Sequence, residues 1–333
     1  MSKLTKIFTI GLALCLVVAT AGCKTTSKSG TTASATNFPT STIHIVVPQA
    51  AGGSTDMVAR TLQPFLTKYI GGTVVVDNVT GAGGKMGLSQ VYNAKSDGYQ
   101  LLLGVFPAWI ITQKIDTAPD YDVLKMTPLY NISGGDYNAV VVPYDSPINS
   151  IKDLIAAGTK KSVNVAGSGL GTNSYLTYIL LKNTVKANVT YIPYNSGGEA
   201  ALAVVGSHVD AAVGSGISFK TLVESKKLKV IATAGPVRAS IFPNVPTLEE
   251  LGYKGAGYDI ILGINAPPKL PAAIASKLEA ALAKSVKDPE FIAAAKKANF
   301  ILQPLTAANY GTAIKGTDGI VESNLKSLLA GSK

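Results

Sequence analysis

The chain has 333 residues, with 30 Lys and Arg against 20 Asp and Glu, a formal charge of +10. Hydrophobic residues make up 47%, which supports a real core and excludes general disorder. Two Cys and two His leave little room for a zinc or cluster site.

Lys3 and Lys6 precede the apolar run from Ile7 to Ala21. A basic start followed by a short apolar stretch reads as an export signal, not a spanning helix. It ends in Thr20-Ala21-Gly22-Cys23, which resembles a bacterial lipobox. Residues 1–22 are therefore expected to be removed and Cys23 to carry lipid. Residues 23–37, rich in Ser, Thr, Ala and Lys, read as a flexible tether. From Lys24 to Asn37 it would reach ~45 Å fully extended. Losing Lys3 and Lys6 takes the charge from +10 to +8, and losing Cys15 leaves the folded body without a thiol. No other apolar run reaches the ~18 residues of a membrane span. The expected location is extracytoplasmic, at the cell surface or in the periplasm.

The body alternates short apolar strands with helical stretches. Ile43 to Val47 is strand-like, Pro48 to Gly53 breaks it, and Ser54 opens a helix to about Tyr69. Thr73 to Val76 and Leu101 to Val105 are strands around a helix from about Met86 to Ala94. A turn-rich stretch leads to a strand at Val140 to Val142, then a helix from Ile148 to Ala157. Strands at Val163 to Ala166 and Val189 to Pro193 precede helices beginning at Ser174 and Glu199. Further strands are expected at Ala211 to Val213, Val230 to Thr233 and Ile260 to Asn265. The end reads as helical: Ala272 to Lys287, Pro289 to Ala298, and Ala307 to about Leu329. This pattern predicts an α/β protein with parallel sheets covered on both faces. Strand, glycine loop and helix recur around residues 50 and 168, predicting two α/β domains with a ligand at the helix starts.

Enzyme signatures fail on inspection. Gly167 to Thr172 lacks the third glycine of a dinucleotide loop, and no acid follows at the required distance. Gly81 to Lys85 lacks the first glycine and the hydroxyl residue of a P-loop. There is no nucleophile elbow. His44 sits on an apolar strand and His208 in a turn, so both read as structural, and no metal or cofactor is expected. The only arginines are Arg60 and Arg238, and the lysines are scattered, which argues against nucleic acid.

What remains is anion binding by backbone. Ser54 or Thr55 is placed to cap its helix and leave neighbouring amides free. Such amides and the positive helix end favour a carboxylate. Gly169 to Asn173 and Tyr194 to Gly198 offer similar donors. Asp56 and Arg60 suit an i, i+4 ion pair, with Asp56 also placed to orient the loop or meet a polar ligand group. Trp109 and Phe106 read either as cleft wall or as core.

These residues, in this order, resemble the solute-binding receptors of tripartite tricarboxylate transporters, the TctC or Bug family. The opening motif is Val47-Pro48-Gln49-Ala50-Ala51-Gly52-Gly53-Ser54-Thr55-Asp56, with Ala59-Arg60. Next come Val76 to Gly84, with Asn78 and the Gly81-Ala82-Gly83-Gly84 run, and Asp97-Gly98-Tyr99. Tyr121-Asp122, Thr127-Pro128, Pro193-Tyr194 and Gly206 to Asp210 follow. Val245-Pro246-Thr247-Leu248-Glu249-Glu250-Leu251-Gly252-Tyr253 is the closest single match, and Ala266-Pro267 with Pro271 completes the set. The resemblance covers roughly residues 42–310.

The resemblance implies a two-domain, flytrap-like periplasmic binding fold, type II-like, with a parallel-rich sheet in each domain. Domain 1 would hold 38–138 and 260–333, and domain 2 139–259. It implies a monomeric, lipid-anchored receptor that makes and breaks no bond. A small organic di- or tricarboxylate would sit between the domains and pass to membrane permease subunits. The implied ligand-binding residues are Gln49, Ala50, Gly52, Gly53, Ser54, Thr55 and Asp56 on one side. On the other are Ser168, Gly169, Gly171, Thr172, Asn173, Tyr194, Asn195 and Gly197. Gln49 stands where the family often has an aromatic. The alternative is a ligand-sensing module that signals to a membrane kinase.

Overall fold

The computed structural model describes residues 37–330; residues 1–22, Cys23 and nearly all of the expected tether lie outside them. The first strand shows how the fold is built. In β1 (Ile43–Val47), Ile43, Ile45 and Val47 enter one apolar cluster while Val46 enters another. β3 (Gln100–Phe106) does the same, with Leu101 and Leu103 on one side and Leu102 on the other. Side chains alternate across a strand, so a strand apolar throughout needs a helical layer on both faces.

Helix α1 (Ser54–Ile70) supplies one layer, burying Val58, Leu62, Leu66 and Ile70 at four-residue spacing. Gly71, at φ 73°, closes it in the left-handed region. β2 (Val74–Asn78), a short 3-10 turn (Ala82–Gly84) and α2 (Lys85–Tyr92) follow. β3 leads into α3 (Ala108–Ile115) and β4 (Thr127–Gly134). Residues 135–137 then cross to β5 (Asn138–Pro143), which opens the second sheet. That half continues through α4 (Ile151–Gly158), β6 (Val163–Ser168), α5 (Asn173–Asn183), β7 (Val189–Tyr194) and α6 (Gly197–Val205). It ends with β8 (Ala211–Ser215), α7 (Gly216–Glu224) and β9 (Leu228–Thr233). The chain returns to the first sheet as β10 (Ile261–Ala266). It finishes with α8 (Ala272–Ser285), α9 (Pro289–Lys297), β11 (Leu302–Thr306) and α10 (Ala307–Ala330).

The first sheet runs β11-β4-β10-β3-β1-β2 and the second β7-β6-β8-β5-β9. The α/β expectation holds, but the sheets are mixed rather than parallel throughout. β2, β1 and β3 are parallel, whereas β10 pairs antiparallel with β3 and β4. In the second sheet β7, β6 and β8 are parallel and β5 is antiparallel to β8 and β9. The antiparallel strands β4, β5, β9 and β10 flank the two crossovers, where the chain leaves one sheet for the other.

Four elements were not expected from the sequence: β4 with its partner β11, α3, and α7. β4 carries polar Asn131 and Ser133 among its apolar residues, both buried, so it lacked a clean strand pattern. α3 is a short apolar stretch, Ala-Trp-Ile-Ile-Thr-Gln-Lys-Ile, without a capping side chain. The Val245 to Tyr253 motif is structural. Thr247 bridges to Thr233, Leu248 is fully buried, and Glu250 accepts from Arg238 Nε and from the Thr247 amide.

The described residues form one compact unit. Helix α10 packs on β4 and α3 beside the first sheet and on α5 beside the second, so its apolar face spans both. Asn183 Nδ2 donates to Ser327 Oγ at 2.7 Å along that seam. Among the described residues, no helix is long and apolar enough to cross a membrane.

Asp288 ties α9 to α1. It is 5% exposed and accepts from Lys68 Nζ at 2.9 Å, Tyr69 Oη at 2.8 Å and the Glu290 amide. The Lys68 and Tyr69 bonds hold its pKa at about 2, against an ordinary 3.8. A folded pKa below the unfolded one contributes stability above the unfolded value, lost as pH falls through the folded one. Asp288→Asn should therefore lower the thermal midpoint at pH 7. Thermal scans should show that deficit shrinking from pH 4 toward pH 2, and an equal deficit at every pH would contradict the assignment.

Candidate functional site

The helix starts at the carboxyl ends of the parallel strands converge on one cleft of about 830 Å³. Its first wall is the loop between β1 and α1. The N-cap of α1 is Gly53, which has no side chain to offer, so neither Ser54 nor Thr55 caps the helix as expected. The amides of Ser54, Thr55 and Asp56 consequently have no acceptor among the described residues.

The loop is held from behind. Asp56 is 2% exposed, and its carboxylate takes the Gly52 amide at 2.8 Å, Arg60 Nε at 2.9 Å and Asn78 Nδ2 at 2.9 Å. Asn78 Nδ2 also donates to the Gln49 carbonyl, and Asn78 Oδ1 accepts from Arg60 Nη2 at 2.8 Å. Burial pushes the Asp56 pKa up, but Gly52, Arg60 and Asn78 together pull it below the ordinary carboxylate value. Gly52 stands at φ +83°, the left-handed region that glycine enters without strain. Gly52 and Asp56 therefore shape the loop and do not line the cleft, whereas Gln49, Ala50, Gly53, Ser54 and Thr55 do.

The Gly81 to Gly84 turn forms an adjoining wall. A Cβ on Gly84 would lie 2.7 Å from the Trp109 ring, so only glycine allows this approach. Trp109 lines the cleft while remaining 3% exposed, and its Nε1 has no partner among the described residues. Phe106 is fully buried and sits edge-on to Tyr310 at 6.2 Å, in the core rather than in the wall.

The opposite wall comes from the second sheet. Thr172 caps α5 by accepting from the Tyr175 amide, which leaves the Asn173 and Ser174 amides without acceptors among the described residues. Ser196 caps α6 by accepting from the Glu199 amide, and Glu199 Oε2 reaches back to the Asn195 amide at 3.2 Å. The Gly197 and Gly198 amides stay unpaired. Ser168, Gly169, Gly171, Thr172, Asn173, Tyr194, Asn195 and Gly197 all line this side. Thr112 Oγ1 lies 3.4 Å from the Gly171 carbonyl, so the walls meet at one rim.

Several lining residues escaped the sequence reading: Thr80, Ser133, Asp136, Asn138, Ser215 and Ser218, with Asn299 and Phe300 from the turn after α9. Asp136 sits in the first crossover. It accepts from Ser215 Oγ and from the Ile217 amide at 3.1 Å, so it occupies the start of α7 internally. Burial pushes its pKa up against those bonds. The Gly134-Gly135-Asp136 sequence between two apolar stretches was the available signal. His44 lies apart, with Nδ1 at 2.6 Å from Asp77 Oδ2, and His208 is exposed beyond α6. No cluster of three metal-ligating side chains occurs among the described residues.

Residues 58–314 match the tripartite tricarboxylate transporter family receptor pattern, TctC. The chain belongs to this family. It is a solute-binding receptor of the TctC/Bug type and not an enzyme, and receptors of this family work outside the cytoplasm. A Cupriavidus necator protein named for the gbd 5′ region is 32% identical over 263 residues, covering 78% of this chain and 79% of its own. Among solved structures, the periplasmic binding protein BugD is 28% identical with TM-score 0.72, covering 86% of this chain and 98% of BugD. Two Rhodopseudomonas palustris proteins share the fold. MatC with bound malate has TM-score 0.72 at 24% identity, covering 89% of this chain and all of MatC. A protein with adipate has TM-score 0.76 at 22% identity, covering 88% and 98%.

Removing the Asp56 carboxylate strands three donors, the Gly52 amide, Arg60 Nε and Asn78 Nδ2, at about 1–3 kcal/mol. Asp56→Ala should lower the thermal midpoint and also weaken ligand binding about tenfold or more, because the Gly52 turn loses its anchor. Thermal melting with calorimetric titration checks both, and unchanged affinity would show that the loop does not depend on Asp56.

Proposed function

We propose that this receptor binds a small organic di- or tricarboxylate in the cleft and delivers it to the membrane permease subunits of a tripartite transporter. The observation that carries the reading is the set of unpaired first-turn amides on both walls, at α1, α5 and α6, in a cleft with no lysine, arginine or histidine. Charge-assisted bonds contribute ~1.5–3 kcal/mol each and a helix end up to ~2 kcal/mol. Micromolar binding needs ~8 kcal/mol net, so five or six such contacts suffice after ordering costs. The malate and adipate held by the two R. palustris relatives support a carboxylate.

In this reading residues 38–138 with 260–333 and residues 139–259 act as two domains of a monomer. Ligand draws them together about the crossovers, and the closed form docks on the permease. Lipid on Cys23 and the tether 23–37 hold the receptor at the membrane outside the cytoplasm.

Calorimetric titration with a panel of di- and tricarboxylates should find a binder in the micromolar range or tighter, and no binder among organic anions would refute the reading. Gly53 is exposed at φ −74°, and a Cβ there meets only the Ala50 carbonyl at 3.4 Å. Gly53→Val should therefore fold normally yet abolish binding by filling the space before the Ser54 amide. Full affinity in that variant would remove the loop from the site. For the anchor, Cys23→Ser should abolish incorporation of labelled fatty acid and release the protein from membranes, and continued labelling would refute lipidation there.

A further inference from the structure

The cleft has no cationic side chain, yet it holds one acidic one, Asp136. All the donors on that carboxylate are neutral: the Ser215 hydroxyl and the amides of Gly216 and Ile217. No lysine or arginine of the described residues is paired with it. A carboxylate offers roughly four acceptor positions and three donors reach this one, so a position is left unfilled on a residue that lines the cleft. A partly buried anion without a counter-charge is costly, and a second carboxylate brought beside it would add like-charge repulsion. A hydroxyl or ammonium brought there would instead complete its bonding, and the ammonium would also supply the missing positive charge. A second acceptor lies in the same cleft. Asn173 Oδ1, at the start of α5, is buried without a donor among the described residues. The helix starts thus provide for a carboxylate, while Asp136 and Asn173 call for a donor on the same molecule.

Resting on the carboxylate reading above, we infer that the ligand is a carboxylate that also carries a hydroxyl or ammonium donor, and that Asp136 is the residue that selects it. The volume of about 830 Å³ admits such molecules over a range of chain lengths. A site built to bond a donor discriminates strongly against the analogue that lacks it, because its buried acceptor is left unpaired.

Matched acids differing in one substituent test this by calorimetry at pH 7.5. The three-carbon set is propionate, lactate and alanine; the four-carbon set is succinate, malate and aspartate; the five-carbon set is glutarate, 2-hydroxyglutarate and glutamate. The skeleton that binds best should favour its hydroxyl- or ammonium-bearing member by about tenfold or more over the unsubstituted acid. The hydroxyl and ammonium arms identify which donor is used. Asp136→Asn keeps one acceptor oxygen for the Ile217 amide, and Ser215 Oγ can turn to accept from the new Nδ2. The variant should shrink that preference to about threefold or less by weakening the substituted member more than the unsubstituted acid. Tightest binding of the unsubstituted acid in every set overturns the inference alone, leaving the carboxylate reading intact. So does an equal loss across a set in Asp136→Asn. Failure of every organic anion overturns both. Should Asp136→Asn fail its thermal melt, the wild-type ranking decides by itself.

Discussion

A helix cannot satisfy the amides of its own first turn, and at α1, α5 and α6 of this receptor most of those amides have no acceptor among the described residues. Elsewhere in the chain the same problem is solved internally. Asp136 fills the start of α7, and Asp288 accepts from the Glu290 amide at the start of α9. At α1, α5 and α6 the caps are a glycine, a threonine and a serine that cover at most one amide each, and Ser54, Thr55, Asn173, Ser174, Gly197 and Gly198 line the cleft. Backbone donors of this kind are fixed by the helix itself. They carry no side-chain entropy cost and need no lysine or arginine, whose absence from the cleft would otherwise be hard to reconcile with an anionic ligand.

The rest of the structure holds those starts in register. The β1–α1 loop is fixed by the ring of bonds joining Asp56, Arg60 and Asn78, which also grips the Gln49 carbonyl and the Gly52 amide. The second-sheet loops are pinned by Thr172 and by the Ser196–Glu199 exchange. Between the halves, the Ala234 amide donates to the Asn138 carbonyl at 2.8 Å and the Tyr258 amide to the Ala234 carbonyl at 2.9 Å. The crossovers are therefore bonded to one another as well as to their own sheets. Apolar burial along α10 joins the halves on the far side, with Ile314, Val321 and Leu328 in one continuous cluster.

The parts of the site legible in the sequence were those built from consecutive residues. A strand, a glycine break and a helix start name their own ligand-facing amides, which is why Gln49 to Thr55 and Ser168 to Asn173 could be read directly. Asp56 was legible as a pair with Arg60 and as a residue placed to orient the loop or meet the ligand. That its carboxylate turns inward depends on Asn78, which arrives from the neighbouring strand. The floor was not legible, since Ser133, Asp136, Asn138 and Ser215 come together only when both sheets are assembled. The sheet direction misled for a related reason. An apolar strand signals two covered faces and says nothing about its partner's direction, so β5, β9 and β10 looked parallel although the crossovers make them antiparallel.

The net charge belongs to this account at longer range. The chain carries a formal charge of +10, and +8 on the proposed loss of Lys3 and Lys6, a field that steers anions toward the protein. Affinity is then set at short range by the amides. The most direct test is to follow backbone amide resonances while a tightly binding carboxylate is added. The account predicts the largest shifts at Ser54 and Thr55, Asn173 and Ser174, and Gly197 and Gly198. Saturation that leaves those amides unmoved while other residues respond would contradict it.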